Sequence, residues 1–557
     1  MRNRIIGAVA GATTLGVAAL AVAQIPSGVP TANPRAGAPL TKVADGYMQI
    51  PLAQGNDPLE NPVGIFKRYG YLDDMLPISQ GGSGEPTGTE ADINTYLVKE
   101  DIGGPTDGYD YGSHFLFQGH ENGRNNKGQD AAQAYVTRIN LDVKDPAHRI
   151  TLITPPDADN NTGFTRIDGS TYDPFTGEML FTQEGNGTAT GGVIGVPVQW
   201  SDTTPPPSKT YYGSIGHGGF EGIHPDGSGN LIMAEDIGGS GITDPDPAQN
   251  GNKKPRQPNS FIYRFLPKSG GDLSEGKLQA LQVTVNGTVK SFHGTGGCAD
   301  GSSLTAVDDT YGADMKALHS GSSHDVKWVT VHDTDVDGTA VFNANAAAKA
   351  ACATPFKRPE TLQFVPGTKF ASIVFDETGD TDKAAGDDPN AAGAWGAILR
   401  VDFPSAGAST GKIKTILNGD GTLASFDNIS FLDGNTLLMA EDRGETLHQQ
   451  MNALDSLWSV DLTKPIDQIN ADAKRLVAEG RDSSANANAG HISPDSVPTS
   501  PSTFQNDGDN EVTGVHVSDG NATRQGVLGK MPPSRGSRMF YTAQHGENIT
   551  YEIKPVR

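Results

Sequence analysis

Cysteine is nearly absent from this 557-residue sequence, which contains only Cys298 and Cys352. No Cys-x-x-Cys motif is present, so nothing in the spacing argues for a thiolate metal ligand or nucleophile. In an oxidising compartment the two are expected to pair, and closing a loop of about 54 residues would constrain the unfolded chain by roughly 4 kcal/mol. Basic residues are also scarce. Lys and Arg number 42 against 66 Asp and Glu, for a formal net charge of −24. That balance excludes a nucleic-acid binder, which needs clustered cations for the phosphates, and it is wrong for an anionic membrane surface. Beyond the N-terminus no apolar run reaches the ~18 residues of a membrane span. There is no G-x-S-x-G elbow, no P-loop and no dinucleotide fingerprint followed by a suitable helix.

Glycine and proline, by contrast, are plentiful, at 70 and 36 residues. Such a chain is rich in turns, and its carboxylates suit hard cations. It opens with basic Met1-Arg2-Asn3-Arg4, followed by a small-residue apolar stretch and Ala21-Val22-Ala23. This order predicts a secretory signal over residues 1–23, cleaved after Ala23, with a membrane anchor as the alternative. The mature chain is then secreted or periplasmic. Residues 24–92 read as an extended arm. Residues 93–557 read as one all-β domain with insertions near 240–355 and 465–530.

That domain carries a degenerate repeat. A short apolar run ends in acidic, amide or histidine residues, as in Phe115-Leu116-Phe117-Gln118-Gly119-His120-Glu121 and Met179-Leu180-Phe181-Thr182-Gln183-Glu184. The pattern returns at Ile232-Met233-Ala234-Glu235-Asp236, Ile373-Val374-Phe375-Asp376-Glu377, Leu437-Leu438-Met439-Ala440-Glu441-Asp442 and Met539-Phe540-Tyr541-Thr542-Ala543-Gln544-His545. Several copies follow a turn such as Asp173-Pro174-Phe175-Thr176-Gly177 or Asp433-Gly434. Radial repetition of this kind predicts a β-propeller of about six blades. Strand ends then converge near the axis, where repelling carboxylates require cations. Ordinary strand-to-turn junctions are the plainer alternative, since Asp, Asn and Gly are common there.

Other candidates stand apart from the repeat. Asp333-Thr334-Asp335-Val336-Asp337-Gly338 has the alternating carboxylates of a calcium loop, although the twelfth position is Ala344 rather than glutamate. Glu221 precedes Glu235, and Glu360 precedes Asp376, by about one strand and turn, so each could add a ligand at the same end. Arg358 could grip an anion by two parallel bonds. His120 and His545 could ligate a metal or donate a proton, or simply serve as hydrogen-bonded structural residues.

In their order along the chain these motifs resemble the PhoX-type alkaline phosphatase family. Gly119-His120-Glu121, Phe220-Glu221-Gly222 with Ala234-Glu235-Asp236, Arg358-Pro359-Glu360, Asp427-Asn428 and Gln544-His545 carry the resemblance. It implies a propeller with calcium and iron at its centre that hydrolyses small-molecule phosphomonoesters. It also implies metal ligands among Glu121, Glu184, Glu221, Asp236, Glu360, Glu441 and Asp442, with Arg358, Glu360 and His120 acting on substrate. The family's Cys-Glu-Glu run corresponds here to Thr182-Gln183-Glu184. The iron-ligating thiolate is therefore missing, and calcium is the expected metal, with iron kept as a second candidate. A monomer is expected. A calcium-stabilised propeller without activity and a lactonase-like calcium hydrolase remain as alternatives.

Overall fold

The computed structural model describes residues 41–70, 89–121, 132–185, 190–200, 205, 207–242, 256–379, 392–443, 454–479, 511–524, 536–544 and 548–556. The expected signal peptide, the Ser/Asn/Pro-rich stretch 483–507 and His545 lie outside these residues.

The six apolar runs of the repeat are strands, and each is the second strand of a small antiparallel sheet. They are His114–His120, Glu178–Gln183, Leu231–Glu235, Ser372–Glu377, Thr436–Glu441 and Arg538–Gln544. Several are buried along their whole length, as Glu178–Gln183 is. They lack the alternation of a half-exposed strand because neighbouring sheets cover both faces. The hairpin turns before them work as the sequence suggests. Asp173 Oδ1 accepts from Phe175 N at 2.9 Å, and Asp433 Oδ1 accepts from Asn435 and Thr436 N, both at 2.8 Å.

Inside each second strand lies an inner strand. In chain order these are Ala91–Val98, Ile167–Asp173, Phe220–Pro225, Leu362–Phe364, Phe426–Phe431 and Glu511–Ser518. Each packs beside the next, and Glu511–Ser518 packs back against Ala91–Val98, so the inner strands close a ring. Apolar layers fill the gaps between neighbouring sheets. Phe117 and Phe181 share one such layer, and Phe220 and Phe265 share the next. Each fully buried side chain of this size contributes about 1.5–3 kcal/mol. The arrangement is an all-β propeller.

The ring is closed by its own N-terminal arm. Tyr47–Ala53 forms the outer strand of the last sheet, with Tyr47 opposite Pro555, and Lys42–Val43 adds an edge to the sheet before it. The long insertion joins two units. His324–Asp333 pairs with the outer strands Asp272–Val285 and Thr410–Asn418, making one ten-stranded sheet of the third and fourth units. A short helix spans Ala344–Ala350. Cys298 and Cys352 form a disulfide, with their Cα atoms 5.2 Å apart.

Candidate metal centre

The ring builds its centre with a local device that recurs in five units. Just before the inner strand stands a residue whose carbonyl accepts the N–H that follows the second strand. The bonds are Glu121 N to Glu90 O at 3.0 Å, Glu184 N to Arg166 O at 2.9 Å and Asp236 N to Gly219 O at 2.7 Å. Thr378 N to Arg358 O at 2.8 Å and Asp442 N to Ser425 O at 2.9 Å complete the set. Four of the accepting residues hold left-handed backbone, with φ of 45° at Glu90, 38° at Arg166, 56° at Arg358 and 54° at Ser425. For non-glycine residues this costs of order 1–3 kcal/mol each, and such strain tends to gather at functional sites.

Two residues further on comes a carboxylate: Asp92, Asp168, Glu221, Glu360 and Asp427. In four of the units it lies where the ladder slips by a bulge, as between Phe220 and Ile223 opposite Glu235 and Met233. A bulge re-aims the side chain, here towards the axis. Glycine lets neighbouring units approach closely enough. A Cβ on Gly169 would lie 2.0 Å from Glu221 O, and one on Gly222 would lie 2.9 Å from Glu360 O.

The last residue of the second strand holds the device in place. Gln183 Oε1 accepts from Thr165 N at 3.1 Å, Glu377 Oε1 from Lys357 N at 2.8 Å and Glu441 Oε1 from Ala424 N at 2.9 Å. His120 Nδ1 meets Thr89 Oγ1 at 2.9 Å in the same position. Glu235 instead accepts from Phe261 N, Tyr263 Oη and Asn345 Nδ2 at 3.0–3.2 Å. The acidic doublets of the repeat are thus divided in labour. In Glu235-Asp236 and Glu441-Asp442 the first residue is an anchor and the second faces Arg358. In Asp376-Glu377 the second residue anchors the loop at Lys357, and the first accepts from Glu360 N and Thr361 N.

Three groups of carboxylates come together there, with ligand atoms within 4.8 Å of one another: Asp92, Glu121 and Asp168; Asp168, Glu184 and Glu221; and Glu221, Glu360 and Asp427. Asp168 and Glu221 are shared, so the groups form one continuous strip. Burial raises the carboxyl pKa throughout, and neighbouring carboxylates raise it further at Glu121, Asp168, Glu221 and Asp427. Glu360, also buried, is pushed up to about 8 although Arg358 opposes the shift. Asp168 Oδ1 and Asp427 Oδ2 are buried without a hydrogen-bond partner. Unpaired, all-oxygen donors crowded out of water fit hard cations of the calcium type.

Among the residues singled out in the sequence, Glu121, Glu184, Glu221 and Glu360 meet in this strip. Asp236 lies beside it, bound to Arg358 by bonds of 2.6–3.0 Å, and Arg358 Nη2 also donates to Glu360 Oε1 at 3.1 Å. Asp442 faces Arg358 and reinforces its charge. Glu441 is directed elsewhere, into a buried pair with Arg443 at 2.5 Å. His120 lies between Thr89 and Thr137 hydroxyls, both at 2.9 Å, and stacks on Tyr135. Burial lowers its imidazole to about 3. Asp333, Asp335 and Asp337 sit on the outer rim. Asp333 pairs with Lys277 at 2.9 Å, Asp335 with Lys268 at 2.5 Å, and Asp337 Oδ2 accepts from Asp333 N at 2.9 Å. The structure does not bring these three into any of the carboxylate groups found among the described residues.

Sequence reasoning passed over Asp92, Asp168 and Asp427 as ligands. It also missed Glu511, whose carboxyl is raised by burial and by Asp442 and Asp92. The available signal was a second repeat, an apolar residue followed by an acid, in Ala91-Asp92, Ile167-Asp168, Phe220-Glu221, Pro359-Glu360 and Phe426-Asp427.

The architecture and the strip define a β-propeller with a carboxylate-lined centre. The family model described as alkaline phosphatase PhoX matches residues 255–518. Arg358, Glu360, Asp427 and Glu511 lie inside the matched stretch, whereas Glu121, Glu184 and Glu221 precede it. No curated protein matches the sequence. Among solved structures, Pseudomonas fluorescens PhoX in complex with vanadate, a transition state analogue, aligns at a TM-score of 0.52 and 11% identity. The alignment covers 95% of this chain and 97% of that one. The PQQ domain of pyranose dehydrogenase from Coprinopsis cinerea covers 74% of this chain and 97% of its own, at 11% identity and a TM-score of 0.28. The polysaccharide lyase Uly1 covers 93% and 100%, at 8% identity and a TM-score of 0.33. The first shares the fold; the other two align too loosely to carry an argument.

Proposed function

We propose that the protein is a secreted, calcium-dependent phosphoric-ester hydrolase acting on small phosphomonoesters. The observation that carries this reading is the placement of Arg358, which reaches Glu360 at 3.1 Å at the end of a buried strip of carboxylates. Glu121, Glu184, Glu221 and Glu360, with Asp92, Asp168 and Asp427, would hold the cations. Bound calcium would neutralise phosphoryl charge and polarise the ester. Arg358 supplies a planar fork for non-bridging oxygens, strengthening as charge develops on them. Asp236 holds that fork in orientation through its paired bonds. The buried walls exclude water from the contacts and so raise their strength. His120 has no part in this reading, because both ring nitrogens are occupied by threonine hydroxyls.

The test is phosphate release from a generic phosphomonoester by mature protein, before and after chelation and calcium return. Turnover is expected to vanish with chelator and to reappear with calcium. Arg358→Ala is expected to lose about 10²–10³-fold in rate, and Glu221→Ala to lose bound calcium together with activity. Unchanged turnover in both variants would overturn the assignment. A chelator-dependent fall in melting temperature without any hydrolysis would leave only a calcium-stabilised scaffold.

A further inference from the structure

We propose that the long insertion positions the Arg358 fork through His319 and Asn345, which brace the two anchor residues on either side of the Arg358–Asp236 pair. This rests on the phosphohydrolase reading above and adds positioning residues to it.

Arg358 stands in a turn that is held from one place. Glu377 Oε1 accepts from Lys357 N at 2.8 Å, Thr378 N donates to Arg358 O at 2.8 Å, and Gly379 N donates to Lys357 O at 3.1 Å. These bonds keep the left-handed backbone at Arg358, with φ of 56°, and so fix where its side chain sets out. Glu377 is itself held by the insertion. His319 follows the short helix Ala313–Leu318, and its Nε2 donates to Glu377 Oε2 at 2.8 Å. Nδ1 of the same ring lies 2.9 Å from Met315 O. Both partners are acceptors, so a proton on each ring nitrogen satisfies both contacts. The His319 and Glu377 side chains are both 0% exposed. The chain packs directly over the ring, since a Cβ on Gly393 would lie 2.3 Å from Nε2. In such surroundings a charge-assisted bond is strong, and losing the donor leaves a buried carboxylate oxygen unmatched.

The other side of the pair is braced in the same manner. Asp236 holds the Arg358 fork at 2.6–3.0 Å and directly follows the anchor Glu235. Glu235 Oε2 accepts from Asn345 Nδ2 at 3.0 Å, and Asn345 Nδ2 also donates to Asn259 O at 2.7 Å. Asn345 lies in the insertion's helix Ala344–Ala350. Three other anchors are braced by residues outside the insertion: His120 by Thr137, Gln183 by Tyr212 Oη at 2.8 Å, and Glu441 by Arg443. The insertion thus reaches the two anchors that bear on Arg358, and it contributes no residue to the three axial carboxylate groups. Its effect falls on the orientation of the fork. A guanidinium meets phosphoryl oxygens by two parallel bonds only when its plane is fixed, and misplacement by about 1 Å costs on the order of 10²-fold in rate.

A double-mutant cycle on calcium-loaded protein tests this, read as phosphomonoester turnover and as calorimetric affinity for inorganic phosphate. His319→Leu fills similar space without a donor. It is expected to lower turnover by about tenfold or more with calcium stoichiometry intact. On the Arg358→Ala background the same change should cost less than about twofold, because the fork through which it acts is gone. His319→Gln, which keeps a donor for Glu377, should recover part of the loss. Asn345→Ala removes one of the donors to Glu235 and should act in the same direction by a smaller factor. It carries the test should the leucine variant fail to fold. An equal loss on both backgrounds overturns the inference, since a merely loosened scaffold would act without regard to Arg358. Loss of bound calcium in either single variant also overturns it. Native protein that neither turns over the ester nor binds phosphate brings down the phosphohydrolase reading together with it. Turnover that needs calcium and Arg358 but is indifferent to His319→Leu and Asn345→Ala sinks this inference alone.

Discussion

The molecule has two acidic regions of similar appearance in sequence and opposite physical character. On the rim, Asp333, Asp335 and Asp337 alternate along one turn and are answered by Lys277, Lys268 and backbone N–H groups. On the axis, Asp168 and Glu221 come from different units, are almost fully buried, and have other carboxylates as their nearest charges. Local density of aspartate therefore says little about a metal centre. What matters is whether the fold removes water and counter-charges from carboxylates it has brought together. The rim satisfies its acids at home. The axis leaves them in need of a cation, and burial makes that need large.

The contrast is sharpened most by breaking an anchor rather than a ligand. Glu441 is chain neighbour to Asp442 but is sealed against Arg443, at 0% and 1% exposure. Glu441→Ala would strand a buried guanidinium and release the loop at Ala424, at a cost of about 3–5 kcal/mol. Urea unfolding measures this, and a loss below about 1 kcal/mol would show that the doublets are not divided as described.

Next in size is the response to pH. In cation-free protein the axial carboxyls keep their protons to higher pH than the unfolded chain, whose carboxyls titrate near 4. Protons thus favour the folded state. That stability is fully present in acid and is lost as pH rises through the raised values, about 8 for Glu360 and higher than usual for Asp168 and Glu221. Melting temperature in chelator is expected to fall between about pH 5 and pH 9, and calcium should restore most at the alkaline end, where it no longer competes with protons. A flat profile in chelator would place the carboxylates in water, like those of the rim.

The sequence exposed the second strands well, because each is an apolar run closed by polar residues and opened by an Asp-rich turn. It also exposed the acids at their ends, but not their division of labour. Gln183 and Glu184 look alike on paper, and only the alternate sidedness of a strand end sends one to Thr165 N and the other to the axis. Asp92, Asp168 and Asp427 were hidden for a different reason. Their direction is set by bulges, and a bulge depends on the register against a partner strand rather than on any residue type. The closing strand Tyr47–Ala53 was unreadable because its partner, Ile549–Pro555, lies at the far end of the chain. Arg358 was visible as a motif with Glu360. Arg166 stands at the same spacing before Asp168, and that pair became legible only through the equivalence of the two positions in the ring.

The smallest expected effect belongs to the rim itself. Asp335 is 62% exposed and its partner Lys268 48% exposed, so their ion pair is screened by water and salt. Asp333 and Asp337 mainly shape the turn, through Asp335 N and Asp333 N. Asp335→Asn should leave calcium stoichiometry, ester hydrolysis and melting temperature unchanged within error, in the presence and absence of chelator alike. The same substitution at Asp168 should remove calcium. If Asp335→Asn instead lowered the number of bound calcium ions by one, the rim turn would be a cation site after all. Lysine and backbone neighbours would then be no guide to which acids a fold leaves for metal.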